Sequence, residues 1–591
     1  MNTNEKIKLI RDAMEKYEID AYVIPSSDPH QSEYLPENYK LRQWVTGFTG
    51  SNGLAVITKD DAKLWTDGRY FIQAEAQISD SEFKLMKMDT PGYPNYIDWM
   101  YEVLPEKSSI GFDGVLVSQN EYEVIDKKMM EKSIVILDSL DLISDIWSDR
   151  PEAGSELAFL LDFKYAGKSA AEKLSEVREQ LKSKGIENLL LTSLEDICWL
   201  YNIRGNDILN TPVLVSYGIV TDEYAFLFTD LKKITLETQE ELGKNGVDIE
   251  DYSAIFGFVN GIRDSVISLD KSKVNRKIYK SIDKSNKVVD EVNVTTNMKA
   301  IKNKVEIANI KETHIKDGAA LTKFMYWLKN YEDKTELNEI IVEQKLEEFR
   351  REQELFISPS FDTISAYGPN AAMMHYRAVE DNYSNLENKG LYLVDSGGQY
   401  YGGTTDITRT FALGKLTEEE MTDFTLVLKG HINLGSAVFL AGASGQSLDA
   451  LSRAPIWKHR MDYKSGTGHG VGFVLGVHEG PHRIAPKGLP VELLPGMLVS
   501  NEPGIYKEGK HGIRSENLVF VVDDEKNGDG QFRRFEVVSF APFDVDAIKV
   551  EMLTEDEKAY LNDYHEEVYN KLNHLLNEEE KEWLYKVTRA I

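Results

Sequence analysis

Apolar residues in IKLIRDAMEKYEIDAYVIPSS recur at helical spacing and then run together from Ala21 to Pro25, which predicts an amphipathic helix leading into a short buried strand. Further along, SEVREQLKSKGIENLLLTS repeats the design, and the alternation in AVITKDDAKLWTD is matched by YGIVTDEYAFLFTD. Such self-similarity marks a duplicated structural unit. Two α/β domains of similar build are expected, at residues 1–155 and 156–300, meeting near Arg150 and Pro151. The second opens on a capping box, Ser169 to Glu172, and its helix stops at Gly185.

A third domain, residues 301–591, begins with a long helix in which Leu321, Phe324, Met325 and Leu328 fall on one face, a stripe that reads as core packing. A further helix is predicted from Leu337 to Arg350. The period then shortens to two. In LYLVDSGGQYYGGTTDITRTF, two β-prone stretches flank a Gly-rich connection, and MLVSNEPGIYKEGKHGIRSENLVFVV repeats that layout. Glycines and β-branched residues in SGTGHGVGFVLGVHEGP suggest another strand beside a crowded site. Helices packed on a curved sheet follow, an α+β arrangement, and the chain ends in helices, one starting at the capping box Thr554 to Glu557.

Each predicted hairpin offers two acids, Asp395 with Asp406 and Glu502 with Glu516, and the glycine-rich stretch adds His469. Four carboxylates and one imidazole suit two clustered divalent ions such as manganese, magnesium, cobalt or zinc, and no thiol is offered. Two such ions cancel four negative charges that would otherwise repel one another. Any one of these residues alone reads more simply as a turn acid or a core histidine. A Gly-rich surface loop, however, explains none of the acids. Thr408 and Arg514 stand two residues from Asp406 and Glu516, so on strands they share the ligands' face and can orient them; the plainer reading is a strand threonine and a salt bridge.

With AYGPNAAMMHY, VDSGGQYYGGTTDITRTF, SGTGHGVGFVLGVHEGP, NEPGIY and GIRSENL, and with DPHQSEYL and WTDGRYFIQA near the start, the chain resembles the aminopeptidase P branch of the pita-bread metallopeptidases, in its long three-domain cytosolic form. The resemblance extends to EMLTEDEKAYLNDYHEEV and so covers most of the chain. It implies two creatinase-like domains before a pita-bread catalytic domain. It also implies removal of the first residue from short peptides with proline second, by a hydroxide shared between two metal ions, with manganese the first choice and zinc or cobalt accepted. By the same resemblance Asp406 and Glu516 bridge the ions, Asp395 binds one, and His469 with Glu502 complete the other. His375 and His478 match histidines that contact substrate or help proton transfer. Arg69 is a candidate to reach the substrate, against the plainer reading of a surface salt bridge. The C-terminal segment is implied to support a homodimer.

One position departs from that pattern: where the family carries a histidine four residues before the metal histidine, this chain has Ser465. All five ligands remain, so metal binding is expected to survive and turnover or specificity to change. The alternatives are a prolidase acting on Xaa-Pro dipeptides, whose layout lacks the duplicated half, and a weakened or non-catalytic binding relative.

The 591 residues exceed what one core organises. A formal net charge of −30 disfavours nucleic acid and anionic membranes as partners, since both are polyanions. Cys198 is the only cysteine, which excludes an intramolecular disulfide framework and suits a reducing compartment. The first residues carry no uninterrupted apolar core of signal-peptide length and no later stretch reaches a membrane span, so a cytoplasmic location is expected.

Overall fold

The leading helix of each α/β half starts on a capping box: Asn2 with Glu5 for Thr3–Lys16, and Ser169 with Glu172 for Ala170–Ser183. The apolar face of the first buries Ile7, Ile10 and Met14, and that of the second Leu174, Val177 and Leu181. Each helix hands over to a fully buried strand, Ala21–Pro25 and Asn188–Leu191. In this computed structural model, which describes residues 1–591, both strands are central in six-stranded mixed sheets. Numbered by their order in the chain, the strands of both sheets lie 4-3-2-1-5-6, with the same parallel and antiparallel neighbours. The duplication is thus carried through to topology. Both sheets belong to one compact unit, residues 1–163 and 168–296. Inside it the halves are joined by Asn275 Nδ2 donating to the Pro29 carbonyl (2.8 Å) and by His30 Nδ1 at 2.9 Å from the Thr192 carbonyl.

The second unit comprises residues 164–167 and 297–591. Its helix α1 (Lys304–Asn330) is capped by Asn303, and α2 (Glu339–Arg351) by Asn338, two residues later than the sequence predicts. Leu321, Phe324, Met325 and Leu328 of α1 pack with Val342 and Leu346 of α2 onto Tyr392, Val394 and Phe411, each such burial stabilising by about 1.5–3 kcal/mol. Those last three residues lie on strands β2 (Leu391–Ser396) and β3 (Ile407–Ala412), which with β1 (Ile364–Tyr367) form a three-stranded antiparallel sheet. A six-stranded sheet follows. It contains β4 (Gly468–Gly470), β5 (Glu479–Ile484), β6 (Leu498–Asn501), β9 (Asn517–Asn527) and β10 (Gly530–Val537), with Val438–Leu440 on one edge. Between β6 and β9 a separate ribbon intervenes, β7 (Gly504–Lys507) and β8 (His511–Arg514). Helices α3 (Glu418–Gly435) and α4 (Glu555–Leu572), the latter starting at the Thr554–Glu557 capping box, share one apolar cluster beside these strands.

The strand expected through SGTGHGVGFVLGVHEGP is only partly present. β4 and β5 take its ends, and Val471 to His478 form a loop in which the Gly472 N–H donates to the Gly476 carbonyl (3.1 Å) and Val474 adopts a φ of 52°. That loop is held from outside, because Gln399 Nε2 donates to the Leu475 carbonyl (2.8 Å). No helix of the chain is long and apolar enough to cross a membrane.

Candidate metal centre

Asp395 sits near the end of β2, and Asp406 immediately precedes β3. Their register sets Thr408 opposite Asp395, so Asp406 lies just past the last pair, Ser396 with Ile407. In the second hairpin Asn501 pairs with Asn517, and Glu502 and Glu516 flank that pair on the side where the chain leaves for the β7–β8 ribbon. Both hairpins therefore release an acid where pairing stops, and the Glu516 N–H donates to the Thr408 carbonyl (3.2 Å) to join them.

His469 comes from β4, which pairs with β6 through Gly470 and Val499. One hydroxyl fixes it relative to Glu502: the His469 N–H donates to Ser500 Oγ (2.9 Å), and Ser500 Oγ donates to Glu502 Oε1 (3.1 Å). The approach is close enough that a Cβ on Gly468 would lie 1.9 Å from the Ser500 carbonyl oxygen. Ring nitrogen Nδ1 of His469 stands 2.9 Å from the Gly470 carbonyl, which can only accept. Nδ1 therefore carries a proton, and Nε2 faces Asp406 Oδ2 at 3.5 Å and Glu502 Oε1 at 3.3 Å. Ligand atoms of Asp406, His469 and Glu516 lie within 4.8 Å of one another.

Asp395 Oδ2 accepts from Arg514 Nη2 (2.5 Å) and Nε (3.1 Å), and Glu516 Oε2 accepts from Thr408 Oγ1 (2.7 Å). Their other oxygens, Asp395 Oδ1 and Glu516 Oε1, are buried with no hydrogen-bond partner. An orphaned buried carboxylate oxygen is costly unless something cationic completes it. Burial, reinforced by neighbouring acids, pushes the Asp406 and Glu516 carboxyls far above their usual range. Burial likewise lifts Glu502 to about 7, with Asp395 adding to the rise and Arg514 opposing it. Unpaired lone pairs, an oxygen-rich donor set with one imidazole, and acids that resist ionising together fit divalent cations.

Around this cluster, the His478 ring meets the His469 ring edge-on, centroids 4.3 Å apart. The carbonyl of Met374, next to His375, accepts from Arg514 Nη2 (3.4 Å). Ser465 is half-buried, and its carbonyl accepts from Arg453 Nη2 (2.8 Å). Arg69 belongs to the other unit, where Asp67 holds it through Nη2 (2.8 Å) and Nε (2.9 Å). Burial works against Asp67, but those bonds outweigh it and set its carboxyl at about 2. Sequence reasoning missed Ser500, whose place two residues before Glu502 was the available signal, and Tyr506, whose hydroxyl takes Arg514 Nη1 (2.6 Å).

The description "Metallopeptidase family M24" matches residues 308–523, and "C-terminal region of peptidase_M24" matches 531–591. "Creatinase/Prolidase N-terminal domain" matches twice, at 6–144 and 149–306, over the two like sheets. Aminopeptidase P1 of Lotus japonicus is 38% identical, with 97% of both chains covered, and Aminopeptidase P1 of Arabidopsis thaliana is 37% identical with the same coverage. The chain belongs to the aminopeptidase P family. A solved aminopeptidase P relative, the X-prolyl aminopeptidase of Caenorhabditis elegans, superposes with a TM-score of 0.95 at 32% identity over 100% of both chains. It is described as a cytosolic enzyme with a dinuclear active site. The Xaa-Pro dipeptidase of Bacillus anthracis, 25% identical with a TM-score of 0.51, is matched over 99% of its length but covers only 64% of this chain. The full length of the chain is thus matched by the Caenorhabditis elegans enzyme and only part of it by the dipeptidase.

Proposed function

We propose that the chain is a metal-dependent aminopeptidase that removes the first residue from short peptides with proline second, and that Asp395, Asp406, His469, Glu502 and Glu516 hold its two divalent ions. The observation that carries this reading is the convergence of Asp406, His469 and Glu516 within 4.8 Å, beside buried carboxylate oxygens that lack a partner. Manganese is the first candidate, with zinc and cobalt accepted by the same donors. When bound, the ion pair acidifies water and polarises the scissile carbonyl.

The chain's own groups do the rest. Thr408 fixes one oxygen of Glu516 and Arg514 one oxygen of Asp395, which leaves the other oxygen of each buried and free to bind an ion. The Gly470 carbonyl holds His469 in the tautomer that presents Nε2. His375 and His478 contact the peptide and move protons, a task for which imidazole titrates in the right range. Ser465 stands where relatives place a further imidazole and lowers turnover. Arg69 remains the candidate to reach the substrate, with Asp67 holding its Nε and Nη2.

The working division is 1–155, 156–300 and 301–591, with the final helices supporting a homodimer in the cytoplasm. The charge of −30 argues against nucleic acid or membrane partners.

The test is hydrolysis of Xaa-Pro-Yaa tripeptides beside Xaa-Pro dipeptides and Xaa-Ala-Yaa controls, with added manganese and with chelator. Metal-dependent release of the first residue from the Xaa-Pro-Yaa set alone is expected. Cleavage of dipeptides alone would replace this reading with the dipeptidase, and silence on every peptide despite bound metal would point to a binding role.

A further inference from the structure

Glu339, the first residue of α2, is completely buried, yet five hydrogen bonds converge on its carboxylate. Oε1 accepts from the Tyr367 N–H (2.6 Å) and Asn370 Nδ2 (3.0 Å), while Oε2 accepts from the Ser384 N–H (2.7 Å), the Tyr376 hydroxyl (2.8 Å) and Asn370 Nδ2 (3.2 Å). Tyr367 and Tyr376 bracket one short segment, which runs through the turn Gly368–Ala372 to His375. Tyr376 is the very next residue after that histidine.

The same segment also rests on β8. A Cβ on Gly512 would lie 1.7 Å from the Ala371 carbonyl oxygen, so backbone meets backbone there. Arg514 reaches the Met374 carbonyl while holding Asp395. The segment is therefore gripped between a buried carboxylate and the strand that orients a carboxylate of the metal cluster.

We propose that Glu339 is a positioning residue that sets His375 against the metal cluster by fixing the Tyr367–Tyr376 segment from behind. This rests on the reading of His375 as a substrate-side histidine. An acid is needed there because a carboxylate only accepts and offers about four lone-pair sites, whereas glutamine would turn an NH2 group toward N–H and O–H donors. Glu339 touches neither peptide nor metal and acts through the geometry of its neighbours.

The experiment measures kcat, KM and bound metal on Xaa-Pro-Yaa peptides for Glu339→Gln, Tyr376→Phe, His375→Ala and the double variant Glu339→Gln/His375→Ala. Leu346→Ala, a core truncation on the same helix, serves as a control for lost stability alone. Glu339→Gln is expected to lower kcat about tenfold or more with KM and metal content nearly unchanged, and Tyr376→Phe to lower it less. Leu346→Ala is expected to lower Tm but keep kcat. The double variant should lose no more than His375→Ala, since both changes act through one group. Folded Glu339→Gln with parental kcat, or losses that multiply in the double variant, overturns the proposal. If Glu339→Gln does not fold, parental kcat in Tyr376→Phe overturns it. Parental activity in His375→Ala would instead refute the reading of that histidine.

Discussion

Thr408 does more than occupy a strand position. Its hydroxyl donates to Glu516 across the seam between two hairpins, and Arg514 Nε lies 3.2 Å from the same oxygen, so one threonine ties the partners of two carboxylates together. Partners of this kind usually matter for metal affinity by about 10- to 100-fold. Thr408→Val keeps the shape and removes the donor. It is expected to weaken metal binding by about that factor in a titration followed by calorimetry, while folded structure persists. Parental affinity in the valine variant would assign Thr408 to strand packing alone. Ser465 poses the converse question, because there a group is missing. Ser465→His is expected to raise kcat on Xaa-Pro-Yaa peptides several-fold at unchanged metal stoichiometry. Identical kinetics on every peptide would show that this position does not limit turnover.

Among the elements, the two hairpins were legible because strand alternation and the acids at its ends are local properties. Alternation in LYLVDS and in MLVSNE predicts both the strands and the place where each runs out. The loop Val471–His478 was not legible in that way. Val471, Phe473, Val474, Leu475 and Val477 are all buried, so their apolar character reports an interior location correctly, but a loop and a strand bury such residues equally well. What decides between them is the outside clamp from Gln399, a residue distant in sequence. The pairing of Arg69 shows the same limit: Asp67 is two residues away in sequence, and only coordinates reveal that it takes Nε and Nη2 of the guanidinium. Gly468 tests the hairpin geometry itself. Gly468→Ala would force a Cβ onto the Ser500 carbonyl, a backbone atom that cannot step aside. A cost of about 1–3 kcal/mol is expected, together with loss of metal, because Ser500 also fixes His469 and Glu502. Full metal content in this variant would mean that β4 and β6 separate without disturbing the cluster.

At the scale of the whole molecule, burial holds several histidines of the C-terminal unit in neutral form, His431, His482 and His565 among them, and that shapes its response to acid. Burial is the main cause in each, depressing His431 and His565 to about 3 and His482 to about 4. The bonding agrees, for Asn517 Nδ2 approaches His431 Nε2 at 3.3 Å while His431 Nδ1 faces the Asn501 carbonyl, and the Phe543 N–H donates to His565 Nε2 (3.1 Å). A ring nitrogen already accepting a hydrogen bond cannot take a proton without losing it. With folded values below the unfolded 6.5, the unfolded chain binds more protons as pH falls through 6.5, so stability present above that pH is lost progressively down to the folded values. At pH 4.5 each of these histidines costs on the order of 2–3 kcal/mol. Metal release in acid acts in the same direction, so the comparison must be made against a variant. His565→Gln offers an amide oxygen to the Phe543 N–H and has no proton to take up. Its Tm, measured by calorimetry with chelator present, should gain on that of the parent steadily from pH 7 to pH 4.5. A Tm difference constant across that range would mean that His565 titrates alike in both states, and the acid response would then have to originate elsewhere.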